Sequence, residues 1–538
     1  MRAPTGFSGP FRTDHLARAL YAEGAGIARV IPDAVAVPRD GDDVAALVRW
    51  AWESGTPLVP RGSGSGMAGG AVGGGVLVDL SRLRSMSAVE VERRRLWVGA
   101  GVLRDEVNEK ARDHRLRFPV DPSSGAFCTI GGMIGTNAAG AHTLRHGATR
   151  AWVSALDCVF EDGSRAVLRR GDAVPRNVAA IGRVHQLGGA AVGLLAPALA
   201  GWPAVRKNSS GYAVAESVAS SDLVDLVIGS EGTLAFVVAA ELMLDRPPQA
   251  TGSVLAAFSS LDAAAEGAQL ARAAGASACE LLDRTFLALA STAAAELPSN
   301  TAAVLLSNVE GSDTKEARAA SGALGQALAR AGATLVNLAL ESDAEGALWS
   351  LRHAASPILS RLDPSPKSMQ LIEDGCVPPD RLADYVRGVR DALASAGIRG
   401  VIFGHAGDAH VHVNALVDVR LHDWRTRVSA LLDEVTALVT ALGGTLAGEH
   451  GDGRLRTPLL HRIWSTAAMR LFAEIKASFD PRGILNPGVK VPSPDQQPLG
   501  DIKYDPDLAP LPAAARAALD RIERQRAWST FRLSLADG

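Results

Sequence analysis

Eight of the fifteen residues from Arg61 to Gly75 are glycine, and this stretch limits the fold more than any other. Each glycine in a helix interior costs about 1 kcal/mol relative to alanine, so the segment has to stay a loop. It contains the pattern GxGxxG, from Gly64 to Gly69. A classical βαβ dinucleotide site needs a helix that starts inside that pattern, with its N-terminus facing a diphosphate. That reading fails here. The expected course is a strand at Pro57–Val59, the loop, then a strand at Val76–Leu80. Such a loop can still bind a diphosphate, because backbone without Cβ atoms approaches closely and successive N–H groups form anion nests. Arg61 would add charge. Taken alone, the loop is as consistent with a glycine-rich surface turn.

The surroundings of the loop read as α+β. Val44, Leu47, Val48 and Ala51 recur at helical spacing in Asp42–Glu53, with Asp42 as cap and Gly55 as terminator. Leu96–Val98 reads as a strand and Val102–His114 as a helix. Ala151–Phe160 is a strand entering the turn Glu161–Ser164, and the apolar runs Leu223–Ile228 and Leu234–Leu244 follow. Arg246-Pro247-Pro248 marks a boundary. Beyond it, strands at Ser253–Phe258 and Ala303–Asn308 alternate with Ala-rich helices at Leu261–Ala274 and Thr314–Ala331. A helix near Trp464–Phe479 stops at Asp480-Pro481. From Pro492 the chain is rich in Pro and Asp, with one short basic helix near Ala513–Trp528, and reads as a tail or linker. The apolar stretch Leu187–Val205 contains Pro197, Pro203 and several glycines, which favours a packed, broken helix over a membrane span.

Two further runs of small residues stand out: Asp121-Pro122-Ser123-Ser124 leading into Thr129–Gly140, and Ile228–Leu234. With the glycine loop, with Lys207-Asn208-Ser209-Ser210-Gly211-Tyr212 and with Phe479–Gly488, they make five ordered motifs. Together these resemble the vanillyl-alcohol oxidase/PCMH family of FAD-linked oxidoreductases, from about residue 32 to 491. The resemblance implies a two-part PCMH-type FAD-binding domain (31–246) after an N-terminal segment (1–30). An α/β substrate or cap domain with an antiparallel sheet (247–445) comes next, then a C-terminal helical segment returning to the flavin (446–491) and the tail (492–538). It implies that Arg61, Gly62, Ser63, Gly64, Ser65 and Gly66 hold the FAD diphosphate. Pro122, Ser123, Thr129, Gly132, Gly135, Thr136, Asn137 and Gly140 would line the flavin, and Glu231, Gly232 and Asn486 would complete the cofactor site. Family members with covalent flavin carry His where this chain has Ser65, so non-covalent FAD is expected. His146 stands where relatives often have Tyr, and Val489 precedes the usual Lys, here Lys490.

Three of the twelve histidines fall within eight residues, His405, His410 and His412. Residues 410, 412 and 414 would share one face of a strand, with Val411 and Val413 on the other. Gly448-Glu449-His450-Gly451-Asp452 adds a second cluster. Imidazole and carboxylate together suit Zn²⁺ or Mn²⁺. From spacing alone, a polar strand with hydrogen-bonded histidines is the plainer reading. The cluster also resembles the metal motifs of the family's D-2-hydroxy-acid dehydrogenase branch, which includes D-2-hydroxyglutarate dehydrogenase, D-lactate dehydrogenase and the glycolate oxidase flavin subunit. That resemblance implies His405, His412 and Glu449 as ligands of a divalent metal and His450 as catalytic base. It implies Asn414 as a substrate contact, and His410 and Asp408 as supporting groups. It further implies that Arg352, Ser356 and Lys367 hold substrate carboxylates. The implied reaction removes the hydroxyl proton of a D-2-hydroxy acid to His450 and its C2 hydride to flavin N5. D-2-hydroxyglutarate is the substrate expected first; D-lactate or glycolate oxidation in a complex with an Fe–S partner is the alternative.

Composition closes other routes. The net charge of −3 gives no reason to expect nucleic acid. Cys128, Cys158, Cys279 and Cys376 form no CxxC pair, so reduced buried thiols are expected rather than a cluster or disulfides. The N-terminus lacks the apolar core of a signal peptide. The expected setting is cytoplasmic with at most peripheral contact at the inner membrane face, as a homodimer, with an electron-transfer flavoprotein, a quinone or an Fe–S protein as acceptor. An obligate subunit of an electron-transfer assembly, and a metal-dependent binding protein without flavin, are the competing classes.

Overall fold

The computed structural model describes residues 1–190, 192–290, 297–353 and 366–536. Its first layer is a four-stranded sheet in which Ala34–Ala36 and Leu58–Arg61 flank Val76–Asp79, both parallel to it. The helix Gly41–Ser54 covers this sheet with Val44, Leu47, Val48 and Ala51, all fully buried. Each such Val or Leu contributes about 1.5–3 kcal/mol by leaving water. The cap is Asp40 rather than Asp42: its carboxylate accepts from the Asp42 and Asp43 amides. Gly55 ends the helix in the left-handed conformation at φ 69°, as its position suggested.

A second sheet is antiparallel, in the order Arg95–Gly99, Phe236–Met243, Val153–Val159, Arg165–Arg169. The apolar run after it is not a strand. Leu223–Val227 is a helix, because Asp222 caps it through the Val224 amide. Helices Ala179–Ala190 and Val192–Leu199 pack on Thr466–Phe479, and Trp202 closes an aromatic cluster with Trp464 at 4.5 Å. Among the described residues no helix is long and apolar enough to cross a membrane.

The third sheet has eight strands, all antiparallel, in the order Leu335–Ala339, Ala250–Phe258, Ala303–Gly311, Ala278–Asp283, Arg399–Gly404, His410–Asp418, Pro366–Met369. The eighth, Gly375–Cys376, pairs with the start of His410–Asp418. Helices Leu261–Ala273, Thr314–Arg330, Leu382–Ser395 and Trp424–Ala441 join the cluster that buries one face of this sheet. Strand alternation then sends Glu280, His412 and Asn414 out of the opposite face.

Residues 492–536 are not an appended linker. Lys503 N–H donates to Ile27 O and Arg29 N–H to Asp501 O, both at 2.7 Å, with Ile502 fully buried between them. Helix Ala513–Gln525 packs Ala515, Ala518 and Leu519 against the N-terminal helix His15–Leu20. Proline content suggested an extended tail, but the apolar positions 515, 518, 519 and 522 make one helical face that needs a partner.

Candidate active site

One cavity of about 1460 Å³ lies between the small-residue loops and the third sheet. It exceeds the roughly 300–1000 Å³ of an ordinary small-molecule site, which suits a dinucleotide plus a small acid. At one end it is lined by the glycine loop, including Arg61, Gly62, Ser63, Gly64, Ser65 and Gly66. Pro122, Ser123, Thr129, Gly132, Gly135, Thr136, Gly140, Glu231 and Gly232 line it further in. The loop is non-helical throughout. Its close packing explains the glycines: a Cβ on Gly62 would sit 2.1 Å from Thr129 Oγ1, and Gly64 has φ +74°.

Two of the residues expected at the cofactor lie behind the lining. Asn137 ends helix Ile130–Thr136 at φ 51° and accepts from the Arg150 amide. Asn486 is a clip, its amide donating to Gly70 O at 3.0 Å and Glu231 O at 2.8 Å. Arg61 also turns inward. Its guanidinium donates to the carbonyls of Tyr21, Glu23 and Ala71, so it shapes the loop from inside. Glu231 accepts from the Asp452 amide at 2.8 Å and lies 3.1 Å from Lys490 Nζ.

The far end of the cavity carries the histidines. His405 and His412 each direct Nε2 at the same oxygen of Glu449, at 3.1 and 3.4 Å. His412 Nδ1 donates to the Glu373 carbonyl at 2.9 Å. A carbonyl only accepts, so in neutral His412 the lone pair is on Nε2, facing a carboxylate. Either a proton on Nε2 or a bound cation satisfies that pair. His405 Nδ1 is held by Glu280 at 2.6 Å, the usual orientation of a metal-bound imidazole. Metal–ligand bonds near 2.1 Å place tetrahedral donor atoms about 3.4 Å apart, which matches. The residues present therefore fit a divalent cation.

His450 stacks on His412 with ring centroids 5.2 Å apart, and its Nδ1 is 2.8 Å from Glu373 Oε2. Burial opposes its protonation, but the Glu373 and Asp374 carboxylates outweigh burial and push its pKa up to about 9. A divalent cation held by Glu449 would lie on its other side and drive it back toward the neutral form. His410 stays behind the site: Nε2 meets Asp374 at 2.8 Å, and burial pulls its pKa down to about 3. Val411 and Val413 point into the core as the alternation required.

Arg352, Lys367 and Asn414 also line this end. Arg352 is anchored through Nε to Glu280 and lies 5.2 Å over the Phe403 ring. Ser368 Oγ donates to Asn414 Oδ1 at 2.9 Å, so Ser368 shares the face of Asn414. Lys367, the preceding residue, lines the same cavity with Nζ 5.5 Å from the Tyr504 ring. Ser356 lies outside the described residues. Several functional groups had no clear sequence signal: Glu280, Glu373, Asp374, Arg456, and Lys207, whose Nζ donates to Glu449 at 3.0 Å. Glu280, in the otherwise apolar run Ala278–Leu282, was the most readable of them.

The glycine loop and a histidine–carboxylate cluster thus face one cavity. Residues 32–169 match the sequence family described as FAD binding domain, and residues 247–489 match that of FAD linked oxidases, C-terminal domain. The chain is 30% identical to the glycolate oxidase subunit GlcD of Bacillus subtilis, over 85% of this chain and 88% of that one. It is 29% identical to a D-2-hydroxyglutarate dehydrogenase of Pseudomonas putida, over 98% of this chain but only 54% of that protein. It thus spans about half the length of that relative. Among solved structures, the 4-ethylphenol oxidase of Gulosibacter chungangensis superposes with a TM-score of 0.67 at 15% identity, over 90% of this chain and 94% of that one. The fold is the two-part PCMH-type FAD-binding fold. The chain belongs to the family of FAD-linked oxidoreductases whose relatives are named as dehydrogenases and oxidases of hydroxy acids.

Proposed function

We propose that this protein oxidises a D-2-hydroxy acid to the 2-oxo acid with non-covalent FAD and a divalent metal, Zn²⁺ or Mn²⁺. The observation that carries the reading is the convergence of two imidazole Nε2 atoms on one Glu449 oxygen, in the same cavity as the glycine loop. The chemistry that FAD supplies when bound is acceptance of the C2 hydrogen with its electron pair. The chain's own residues do the rest. His405, His412 and Glu449 would hold the cation beside the substrate hydroxyl and α-carboxylate. Nδ1 of His450 is taken by Glu373, so Nε2 is the atom that receives the hydroxyl proton, and the Glu373 carboxylate then stabilises the imidazolium. Arg352 would pair with a substrate carboxylate. Non-covalent flavin fits the lining: Ser65 offers no imidazole, and burial pushes the nearby Cys128 thiol up to about 11.

D-2-hydroxyglutarate is the substrate we favour, since the relative matched over nearly the whole chain carries that name. The second reading, a monocarboxylate such as D-lactate or glycolate, is supported by the relative named glycolate oxidase subunit GlcD, matched over 88% of its own length. Anaerobic addition of each acid to the metal-loaded protein, followed at the oxidised-flavin band, decides between them. Bleaching by D-2-hydroxyglutarate alone supports the first reading and bleaching by D-lactate or glycolate the second. A purified protein without a flavin band would overturn both. Turnover with a dye acceptor and no partner would exclude an obligate subunit.

Arg352→Lys is expected to raise KM for the acid at least tenfold while flavin stays bound. Lysine keeps the charge but loses the planar fork that pairs with a carboxylate. Steady-state kinetics at saturating dye measures it, and an unchanged KM would remove Arg352 from the substrate site.

A further inference from the structure

The C-terminal segment supplies a wall of the cavity that neither family match includes, since those matches end at residue 489. Arg516, Asp520, Glu523 and Arg524 recur at helical spacing on Ala513–Gln525, and all four line the cavity. This helix starts beside the glycine loop. Arg516 pairs with Glu23 at 2.9 Å, and two residues on, the Ala25 amide donates to Gly64 O at 2.9 Å. It ends on the opposite wall. Arg526 Nη2 donates to Ser123 O at 3.2 Å, and its guanidinium lies 5.2 Å from the Phe127 ring. The segment therefore bridges the two loops between which a dinucleotide would lie.

The charges on this wall are not all neutralised. Arg516 has Glu23 and Asp520, and Lys503 has Glu523. Arg524 and Arg526 line the cavity with no carboxylate partner among the described residues. Arg526 is half-buried, and burial lowers its pKa with no acid offsetting it. It also occupies the helix C-cap at φ 53°, a left-handed position that favours glycine or asparagine. A partly desolvated guanidinium held in such a conformation, facing a cavity without a counterion, is a site for an anion.

We propose that the C-terminal segment is a third element of the flavin site, with Arg524 and Arg526 binding the diphosphate of the dinucleotide from the side the glycine loop leaves open. The proposal rests on the FAD reading. Its test is a titration of the flavin-free full-length chain with FAD, followed by flavin fluorescence, in the wild type, in Arg524→Ala/Arg526→Ala and in Arg524→Lys/Arg526→Lys. The alanine pair is expected to bind FAD roughly 10- to 100-fold more weakly, the range for charge-assisted hydrogen bonds. The lysine pair should recover most of that loss, and the difference between the pairs should shrink with added salt. Wild-type affinity in the alanine pair overturns the proposal. So does an equal loss in both pairs, which would mark a structural role. A wild-type chain that does not bind FAD would instead defeat the underlying cofactor reading.

Discussion

His450→Ala is expected to slow flavin reduction by the hydroxy acid by roughly 10²- to 10⁴-fold, the usual worth of a positioned general base, while FAD remains bound. The two parts of that expectation have separate origins. The His450 ring touches Glu373, Asp374, Glu449 and His412, all at the histidine end of the cavity. None of these residues belongs to the glycine loop, so the flavin spectrum of the variant should match the wild type. Metal content should hold as well, because His405, His412 and Glu449 remain. The deleted imidazole leaves Glu373 paired with Arg456, so the carboxylate is not stranded and the fold survives. Stopped-flow absorbance at the oxidised-flavin band measures the rate, and metal analysis of the same sample supplies the control. Rapid bleaching in the variant would mean that another group takes the hydroxyl proton.

What could be read from the sequence follows from the range over which each force acts. The glycine loop's refusal to be helical is a local backbone property, and the structure keeps it. The strand His410–Asp418 was legible because alternation is a period-two rule that needs no partner. The wrong details are those that a neighbour decides. Asp40 wins the cap over Asp42 because its carboxylate reaches two amides at once. The run at Leu223 becomes a helix because Asp222 caps it. Arg61 lines the cavity as its place in the loop suggested, but the three carbonyls that hold it from inside could not be read. The site's supporting charges were invisible for a different reason. Glu280 reaches His405 across 125 residues of chain, Glu373 reaches His450 across 77 and Lys207 reaches Glu449 across 242, and no spacing rule links groups so far apart.

The same long-range logic fixes the prediction with the largest effect on stability, Lys490→Met. Lys490 is fully buried, and its Nζ donates to Ser209 O at 2.6 Å and Asp452 Oδ2 at 3.0 Å, with Glu231 Oε1 at 3.1 Å. One cation thus faces two buried carboxylates. The Gly211 amide and the Asp452 and Gly453 amides supply further donors. Burial alone would raise the pKa of Glu231, and Asp452 adds to that, while Lys490 works against both. Removing the cation strands two largely buried carboxylates. The expected cost is about 3–5 kcal/mol, the range for breaking a buried ion pair from one side. Denaturant unfolding of the flavin-free chain measures it. Lys490→Met/Asp452→Asn should recover part of the loss, since it removes one of the stranded charges, and the cycle of single and double variants isolates the pair. FAD affinity should fall in the single variant too, because Glu231 lines the cavity and Asn486 ties its carbonyl to Gly70. A cost below about 1 kcal/mol, the worth of an exposed pair, would mean that Glu231 takes up a proton in the folded state. The lysine would then hold the Ser209 loop rather than balance charge.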